Sequence, residues 1–434
     1  MQDTTIQPIP TIIAGLDRNQ DDFDYTMTEL GELVQAAGMT VAASVTQRAD
    51  HADPATYFGK GKVEEMAAQA RAADVPLIVV NSDLTPSQTR NLEKITKLSV
   101  MDRTELILRI FSSRARTREA KLQVAIAQEE YALPRVHPSA NPLDQQGGGR
   151  GASGGGATAN RGAGETQLEL DKRVIRKRIT HMRAELKEIM RAQATRRDRR
   201  IHQALPSVAL VGYTNAGKST MMNGMLAQYG VTDKQVEVKN QLFATLDTSV
   251  RQLQLPNHRH FLLSDTVGFV SHLPHHLVES FKATLAEARD ADLLIQVVDF
   301  ADPHYRQMMA TTEETLAAIG VKDVPMLTVY NKADLRAGVN FPEREGMTMT
   351  LSAQDPASIT LLGQTLDELL YKDYVRTSLL VPFTQGEIVN YLRDNAEVVS
   401  EHYTDDGTAI TAVLSPIDRG RFARFQQAQV PSTK

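Results

Sequence analysis

Apolar and polar positions along this chain fall into successive regimes. Up to about residue 103, short apolar runs alternate with amphipathic stretches: 11–16, 39–45 and 76–80 read as strands, and 25–37, 62–72 and 86–97 as helices. That alternation predicts a small, mostly parallel sheet. From 103 to 133 the period lengthens to that of a helix, with Leu106, Ile107, Ile110, Leu122, Ile126 and Leu133 on one side. A second long helix is predicted over about 166–199, where Leu168, Ile175, Ile179, Met182, Leu186 and Ile189 recur at spacings of three, four and seven. Such a seam is that of a coiled coil, ~50 Å long at ~1.5 Å per residue. Two such helices in sequence pack most simply as an antiparallel hairpin.

After residue 204 buried-type strands return at 207–212, 261–264, 326–330 and 347–351, each leading into a polar loop. The last part reads strand, helix, strand, strand, with apolar runs at 379–383 and 409–414 around a helix at 386–395. The expected architecture is α/β: an N-terminal α/β domain (1–103), a helical hairpin (104–203) with its tip at about 135–164, a mostly parallel P-loop domain with helices on both faces (204–373), and a small α+β domain (374–434).

The strand-to-loop junctions carry the chemistry. Gly212-Tyr213-Thr214-Asn215-Ala216-Gly217-Lys218-Ser219 follows a strand, and Thr220 opens a helix, the context that makes GxxxxGK[ST] a P-loop. Its glycines admit phosphate oxygens to the backbone N–H groups, and the helix N-terminus favours negative charge. Lys218 is placed to reach the terminal phosphates, and the Ser219 hydroxyl to bind Mg²⁺. This segment alone does not separate ATP from GTP. Asn331-Lys332-Ala333-Asp334 does. A carboxylate at Asp334 accepts from the guanine N1–H and 2-amino group, donors that adenine lacks there. Asn331 would tie this loop to the P-loop, Lys332 would lie along the base, and a backbone N–H of Ser352-Ala353 would face the guanine O6.

Between the two ends, Asp265-Thr266-Val267-Gly268 and Phe243-Ala244-Thr245-Leu246-Asp247 are placed to sense the γ-phosphate. Asp265 and Thr245 join Ser219 as candidate Mg²⁺ ligands, and Lys218, Thr245 and Gly268 are the groups expected at the reacting phosphate. Loss of the γ-phosphate would release both loops. Phe269 follows Gly268 where a glutamine would orient the attacking water in Ras-like enzymes, so slow intrinsic hydrolysis, accelerated by a partner, is expected. Asn215 stands where some GTPases hold K⁺ against the phosphates; its other reading is a loop-shaping side chain.

The chain has 434 residues and no cysteine or tryptophan, which excludes disulfides, thiolate catalysis and cysteine zinc sites. No apolar run is long enough to span a bilayer and no secretory signal begins the sequence, so a soluble, cytoplasmic protein without membrane insertion is expected. Net charge is −5, so a nucleic-acid contact needs a local basic surface. One is present: 172–200 holds 12 Lys/Arg against three acids. Before it, 147–164 has 9 glycines in 18 residues and two charges, both arginine. Such a tip cannot fold by itself and suits a narrow, negatively charged cavity. Phe58-Gly59-Lys60-Gly61-Lys62 lacks the full P-loop and reads as a turn into a helix that touches RNA backbone at most. His272, His275 and His276 lack a carboxylate spaced as a metal ligand and read as a surface loop.

The whole pattern resembles the HflX family of ribosome-associated GTPases, within the Obg–HflX-like GTPases. The most specific pieces are Tyr57-Phe58-Gly59-Lys60-Gly61-Lys62, Gly164-Glu165-Thr166-Gln167-Leu168-Glu169, the P-loop, Phe243 to Asp247, and Asp265 to Phe269. Two departures stand out: Thr248 sits where the family often has proline, and the glycine-rich tip is longer than usual. With the resemblance, the expected protein is a monomer that binds GTP or GDP with Mg²⁺; K⁺ stays a candidate ion on the position of Asn215 alone. The resemblance also implies binding to the large ribosomal subunit and its RNA, an arm reaching toward the peptidyl-transferase region, ribosome-stimulated hydrolysis, and splitting of stalled ribosomes under stress. Two other classes fit the residues alone: an RNA-binding or RNA-chaperone protein regulated by guanine nucleotide, and a GTPase switch for a protein or membrane partner.

Overall fold

A computed structural model describes residues 8–20, 22–136, 159–202, 205–231, 243, 249–256, 259–271 and 286–426. These fall into two compact units, one holding 8–193 with Phe243, the other holding 194–231 and the described residues from 249 onward.

The first unit begins with four strands, β1 (Ile9–Asp17), β2 (Met39–Arg48), β3 (Leu77–Val80) and β4 (Ser99–Asp102), in the order β2-β1-β3-β4 and all parallel. Helices α1 (Phe23–Ala36), α2 (Lys60–Ala72) and α3 (Pro86–Thr96) make the crossovers. Ile12, Ala14, Ile78 and Val80 are buried against Val63, Met66 and Leu92. Gly59 caps α2 in extended conformation, while Lys62 pairs with Glu65 at 2.7 Å, so this glycine-lysine stretch is a turn into a helix.

Where the periodicity predicts one helix through Leu133, the chain forms two, α4 (Arg103–Arg114) and α5 (Arg118–Ala132). Ala115 is extended, and the Thr117 hydroxyl accepts from the Ala120 N–H at 3.2 Å, so a competing N-cap restarts the helix. At the head of α4 the Asp102 carboxylate accepts from the Glu105 N–H, and Arg103 forms a buried ion pair with Glu29 of α1.

Helix α6 (Ala159–His202) begins inside the glycine-rich stretch, whose earlier residues, 147–158, lie outside the described part. Arg118–Glu185, Arg178–Glu129 and Arg183–Glu130 pair α5 with α6 in opposite directions, the predicted hairpin. The seam residues lose solvent as the pattern requires. Ile179 is buried and Leu168, Ile175, Met182, Leu186 and Ile189 are half-buried, whereas Arg173, Arg176, Lys177 and Lys187 are exposed.

The second unit is built on β5 (Ser207–Val211), β6 (Ser249–Leu255), β7 (Arg259–Asp265), β8 (Leu293–Asp299), β9 (Met326–Asn331), β10 (Glu343–Glu345) and β11 (Thr348–Thr350). Their order is β10-β11-β9-β8-β5-β7-β6; the five inner strands are parallel and the two edges antiparallel. Around the sheet lie α7 (Lys218–Tyr229), α8 (Ala286–Arg289), α9 (Tyr305–Ala318) and α10 (Pro356–Leu370). Met221, Met225, Leu263, Ile295, Leu327 and Leu362 share one core. Strand order reverses at β5, which lies parallel between β7 and β8, so the loop after β5 opens at the switch point where α/β sheets bind ligands.

Three antiparallel strands follow, β12 (Val375–Val381), β13 (Glu397–Thr404) and β14 (Gly407–Leu414), ordered β12-β14-β13, with α11 (Gly386–Asn395) and α12 (Pro416–Arg421). Arg259 joins this subdomain to the large sheet. Its guanidinium donates to both Asp367 oxygens (2.8 and 2.9 Å) and to Glu397 (2.9 Å). Among the described residues no helix is long and apolar enough to cross a membrane.

Candidate functional site: a guanine-nucleotide pocket

Four buried residues of β5, Val208 to Val211, hold the start of the phosphate loop rigid. Gly212 then turns with φ +143°, and a Cβ there would lie 2.3 Å from the Val297 carbonyl oxygen of β8. Gly217 has φ +98°, and a Cβ there would lie 2.2 Å from Asn331 Nδ2. Only glycine satisfies both the dihedral and the space at these two points. Asn215 between them is exposed with φ +62°, the loop-shaping conformation that asparagine tolerates.

The second phosphate-facing loop is stitched to the first. Thr214 N–H donates to the Phe269 carbonyl at 2.8 Å and Phe269 N–H to the Gly212 carbonyl at 3.2 Å. The Tyr213 phenol and Ser271 share a buried hydrogen bond, and Thr266 Oγ1 donates to the Leu210 carbonyl at 2.7 Å. Gly268 faces Thr214 and Lys218 so closely that a Cβ would meet Thr214 Cγ2 at 2.7 Å. Phe269 is buried, part of this stitching, and offers nothing to a water molecule.

Lys218 is buried at the head of α7, with Nζ donating to the carbonyls of Gly212 (2.9 Å) and Tyr213 (2.7 Å). Burial pushes its ammonium down to about 8, against the opposing pull of Asp265. Ser219 Oγ donates to Asp265 Oδ2 at 2.7 Å, so two of the candidate Mg²⁺ ligands meet. The Thr214 hydroxyl is buried with no hydrogen-bond partner among the described residues. A glycine cradle, a desolvated cation and an unsatisfied hydroxyl fit a polyphosphate tail, and a hydroxyl beside a carboxylate fits a hard divalent cation.

At the other end Asn331, the last residue of β9, is a two-way brace. Its Nδ2 donates to the Ala216 carbonyl at 2.8 Å and its Oδ1 accepts from the Ala353 N–H at 2.8 Å. Ala333 is buried beneath it, with its N–H on the Leu351 carbonyl at 3.2 Å. Lys332 is left-handed (φ +61°) and its ammonium reaches Asp299 Oδ2 at 2.6 Å. Asp334 is exposed at the rim on a single 3₁₀ turn. The amides expected to face the guanine O6 are engaged within the protein: Ala353 by Asn331, and Ser352 by Ser358 Oγ at 3.3 Å. A base oxygen therefore has to share them.

The structure brings together Gly212 to Ser219, with Thr220 half-buried behind them, Asp265 to Gly268, and Asn331, Ala333, Ser352 and Ala353. Ala244, Thr245, Leu246 and Asp247 lie outside the described residues. Phe243, expected near the nucleotide, is buried edge-on against Phe111 of α4 within the first unit, ring centroids 4.6 Å apart. Its size and apolarity make that burial the natural outcome. Asp299, the partner of Lys332, belongs to none of the sequence motifs. The signal available was its place as the final residue of the apolar run 293–299, at the strand edge where the other site loops begin.

Comparisons with known proteins give the following matches. Residues 24–112 match the N-terminal region of GTP-binding GTPases, residues 114–200 the middle region of the same proteins, and residues 207–332 the family described as 50S ribosome-binding GTPase. The GTPase HflX of Caldanaerobacter subterraneus subsp. tengcongensis is 38% identical over 402 residues, 93% of this chain and 90% of the relative. That of Escherichia coli K12 is 36% identical over 407 residues, 92% and 91% of the two chains. A solved GTP-binding protein from Sulfolobus solfataricus in complex with GDP covers 84% of this chain and 99% of its own, at 20% identity and a TM-score of 0.44. With a P-loop stitched to its second phosphate loop and a guanine-type brace across from it, the chain belongs to the HflX family of GTPases.

Proposed function

We propose that this GTPase is a switch acting on the large ribosomal subunit. In this reading GTP with Mg²⁺ sets the binding-competent state, hydrolysis releases it, and the output is splitting or recycling of stalled ribosomes in the cytoplasm, by a monomer. The brace made by Asn331 carries the nucleotide part, because it couples the P-loop to the segment that reads the base. Ser219, Asp265 and Thr245 would hold Mg²⁺, which neutralises charge on the phosphates when bound. Lys218 would trade its two carbonyl partners for phosphate oxygens, and the Gly268 N–H would meet the γ-phosphate. Phe269 has no polar group, so intrinsic turnover is slow and the water-orienting group comes from the partner.

The ribosomal part is supported by the arm. α5 and α6 form a hairpin whose outward surface displays Arg173, Arg176, Lys177 and Lys187, a local basic stripe on a chain of net charge −5. Pelleting with large subunits in a non-hydrolysable GTP analogue but not in GDP is the expected result. Nucleotide-independent binding to free structured RNA would favour an RNA-binding protein instead. Retained protein or liposome binding with no ribosome binding would favour a switch for other partners. GTP turnover with and without subunits, for the whole chain and a deletion of 147–164, tests whether the tip carries the stimulation. Equal turnover in K⁺ and Na⁺ buffers would remove potassium from the scheme.

A further inference from the structure

A groove of about 670 Å³ lies in the second unit at the edge of the large sheet opposite the nucleotide. Ser207 opens β5 at its floor, while the P-loop leaves the other end of the same strand, ~16 Å away at ~3.3 Å per residue. Leu293, Leu370, Met347 and Ile417 supply apolar walls, from the sheet, from the end of α10 and from α12. Ile417 is 65% exposed and Met347 37%, on a unit whose other large aliphatics are mostly packed in its cores.

The rim is acidic. Glu287, Asp290, Asp292 and Asp373 line it against Lys372, with Arg289 bonded to Asp290. Asp292 is held in place by the Ser207 N–H (2.7 Å) and hydroxyl (2.9 Å), so its charge is fixed on the groove's lining. An apolar trough with a fixed negative border accepts an apolar face flanked by cations and repels phosphate.

We infer that this groove docks a basic, amphipathic segment of a ribosomal protein. The inference rests on the ribosomal reading above and divides that partner between two surfaces. The α6 stripe carries the charge to meet RNA phosphates. The groove carries the opposite charge and apolar walls, so on an RNA-rich particle its match is protein. Proteins embedded in RNA carry lysine and arginine to neutralise it, and such a segment presents the cations this rim selects. RNA is the competing occupant.

The test uses the full chain with a photo-crosslinking amino acid in place of Ile417, incubated with purified large subunits in a GTP analogue. The expected result is pelleting together with a crosslink to protein that survives ribonuclease. Asp290→Lys combined with Asp373→Lys should lower the crosslink yield at least tenfold while GDP affinity and melting temperature stay unchanged. Asp290→Asn combined with Asp373→Asn should give an intermediate yield. Pelleting with a crosslink to RNA, with no crosslink, or with a yield indifferent to charge reversal overturns the groove's assignment and leaves the ribosomal reading standing. Failure to pellet overturns the ribosomal reading and this partner with it.

Discussion

The two ends of the nucleotide pocket are built from different material. The phosphate end is backbone. Gly212, Gly217 and Gly268 are placed where a Cβ would collide with its surroundings, and one desolvated ammonium, Lys218, sits among carbonyl oxygens. The base end is side chain. Asn331 bridges two loops, Lys332 is clamped by Asp299, and Asp334 stands at the rim. A cradle of N–H groups grips any phosphate tail and so contributes affinity without identity. A carboxylate that pairs with the base edge, the role proposed for Asp334, contributes identity over a small area. The division makes distinct demands on each residue, which mutation can separate.

The largest loss is expected from Lys218→Ala. Removing a buried cation from a polyphosphate removes about 3–5 kcal/mol, so GDP and GTP affinity should fall on the order of 1,000-fold in calorimetry. ADP binding, where measurable, should fall with them, because the phosphate end does not read the base. Asp334→Asn should do the reverse. Loss of the paired acceptor is expected to weaken GDP about 100-fold while leaving ADP unchanged. If the two variants gave the same GDP-to-ADP ratio, the two ends would not divide the work.

Asn331→Ala tests the connection between the ends. It strips a partner from the Ala216 carbonyl and from the Ala353 N–H, both buried, at about 1–3 kcal/mol each. GDP affinity should drop about 10- to 50-fold, and the protein without nucleotide should melt several degrees lower. A pure loss of affinity with an unchanged melting temperature would show that the brace forms only around the ligand.

Much of this pocket was legible because its residues obey local rules. Gly212 follows the last residue of β5, Asn331 ends β9, and Gly217 and Asp334 lie in the segments that follow these strands, so strand-then-loop is visible in sequence. What was not legible depends on partners far away in the chain. Asp299 acquires its role from Lys332, 33 residues later. The Ala353 N–H is taken by Asn331, 22 residues before it. Phe243 is drawn into packing with Phe111, and no local pattern ties those two rings together. In the fold, β4 was missed because Ser99-Val100-Met101-Asp102 holds only two apolar residues between polar ends, whereas the equally short β3 is an unbroken apolar run. The helix break at Thr117 was missed because the apolar stripe runs on through a cap that interrupts it.

The smallest effect is a pH slope, and its sign follows from burial. In the folded chain without nucleotide Lys218 loses its proton near 8, against 10.5 for an ordinary lysine. Between those values the unfolded chain holds more protons, so this residue makes folding stability rise with pH across the window. Below about pH 8 the buried ammonium is fully charged and costs about 3 kcal/mol relative to an ordinary lysine. Phosphates favour the charged form, so nucleotide binding takes up a proton above pH 8, and GDP affinity should fall about tenfold per unit there. Lys218→Met should flatten both slopes, raising the stability of the nucleotide-free protein near neutrality while weakening GDP. Denaturant melts and GDP titrations between pH 7 and 10 on the two proteins read the difference. A wild-type slope that persists in Lys218→Met would place the titrating group elsewhere and return the phosphate end to a cradle made of backbone alone.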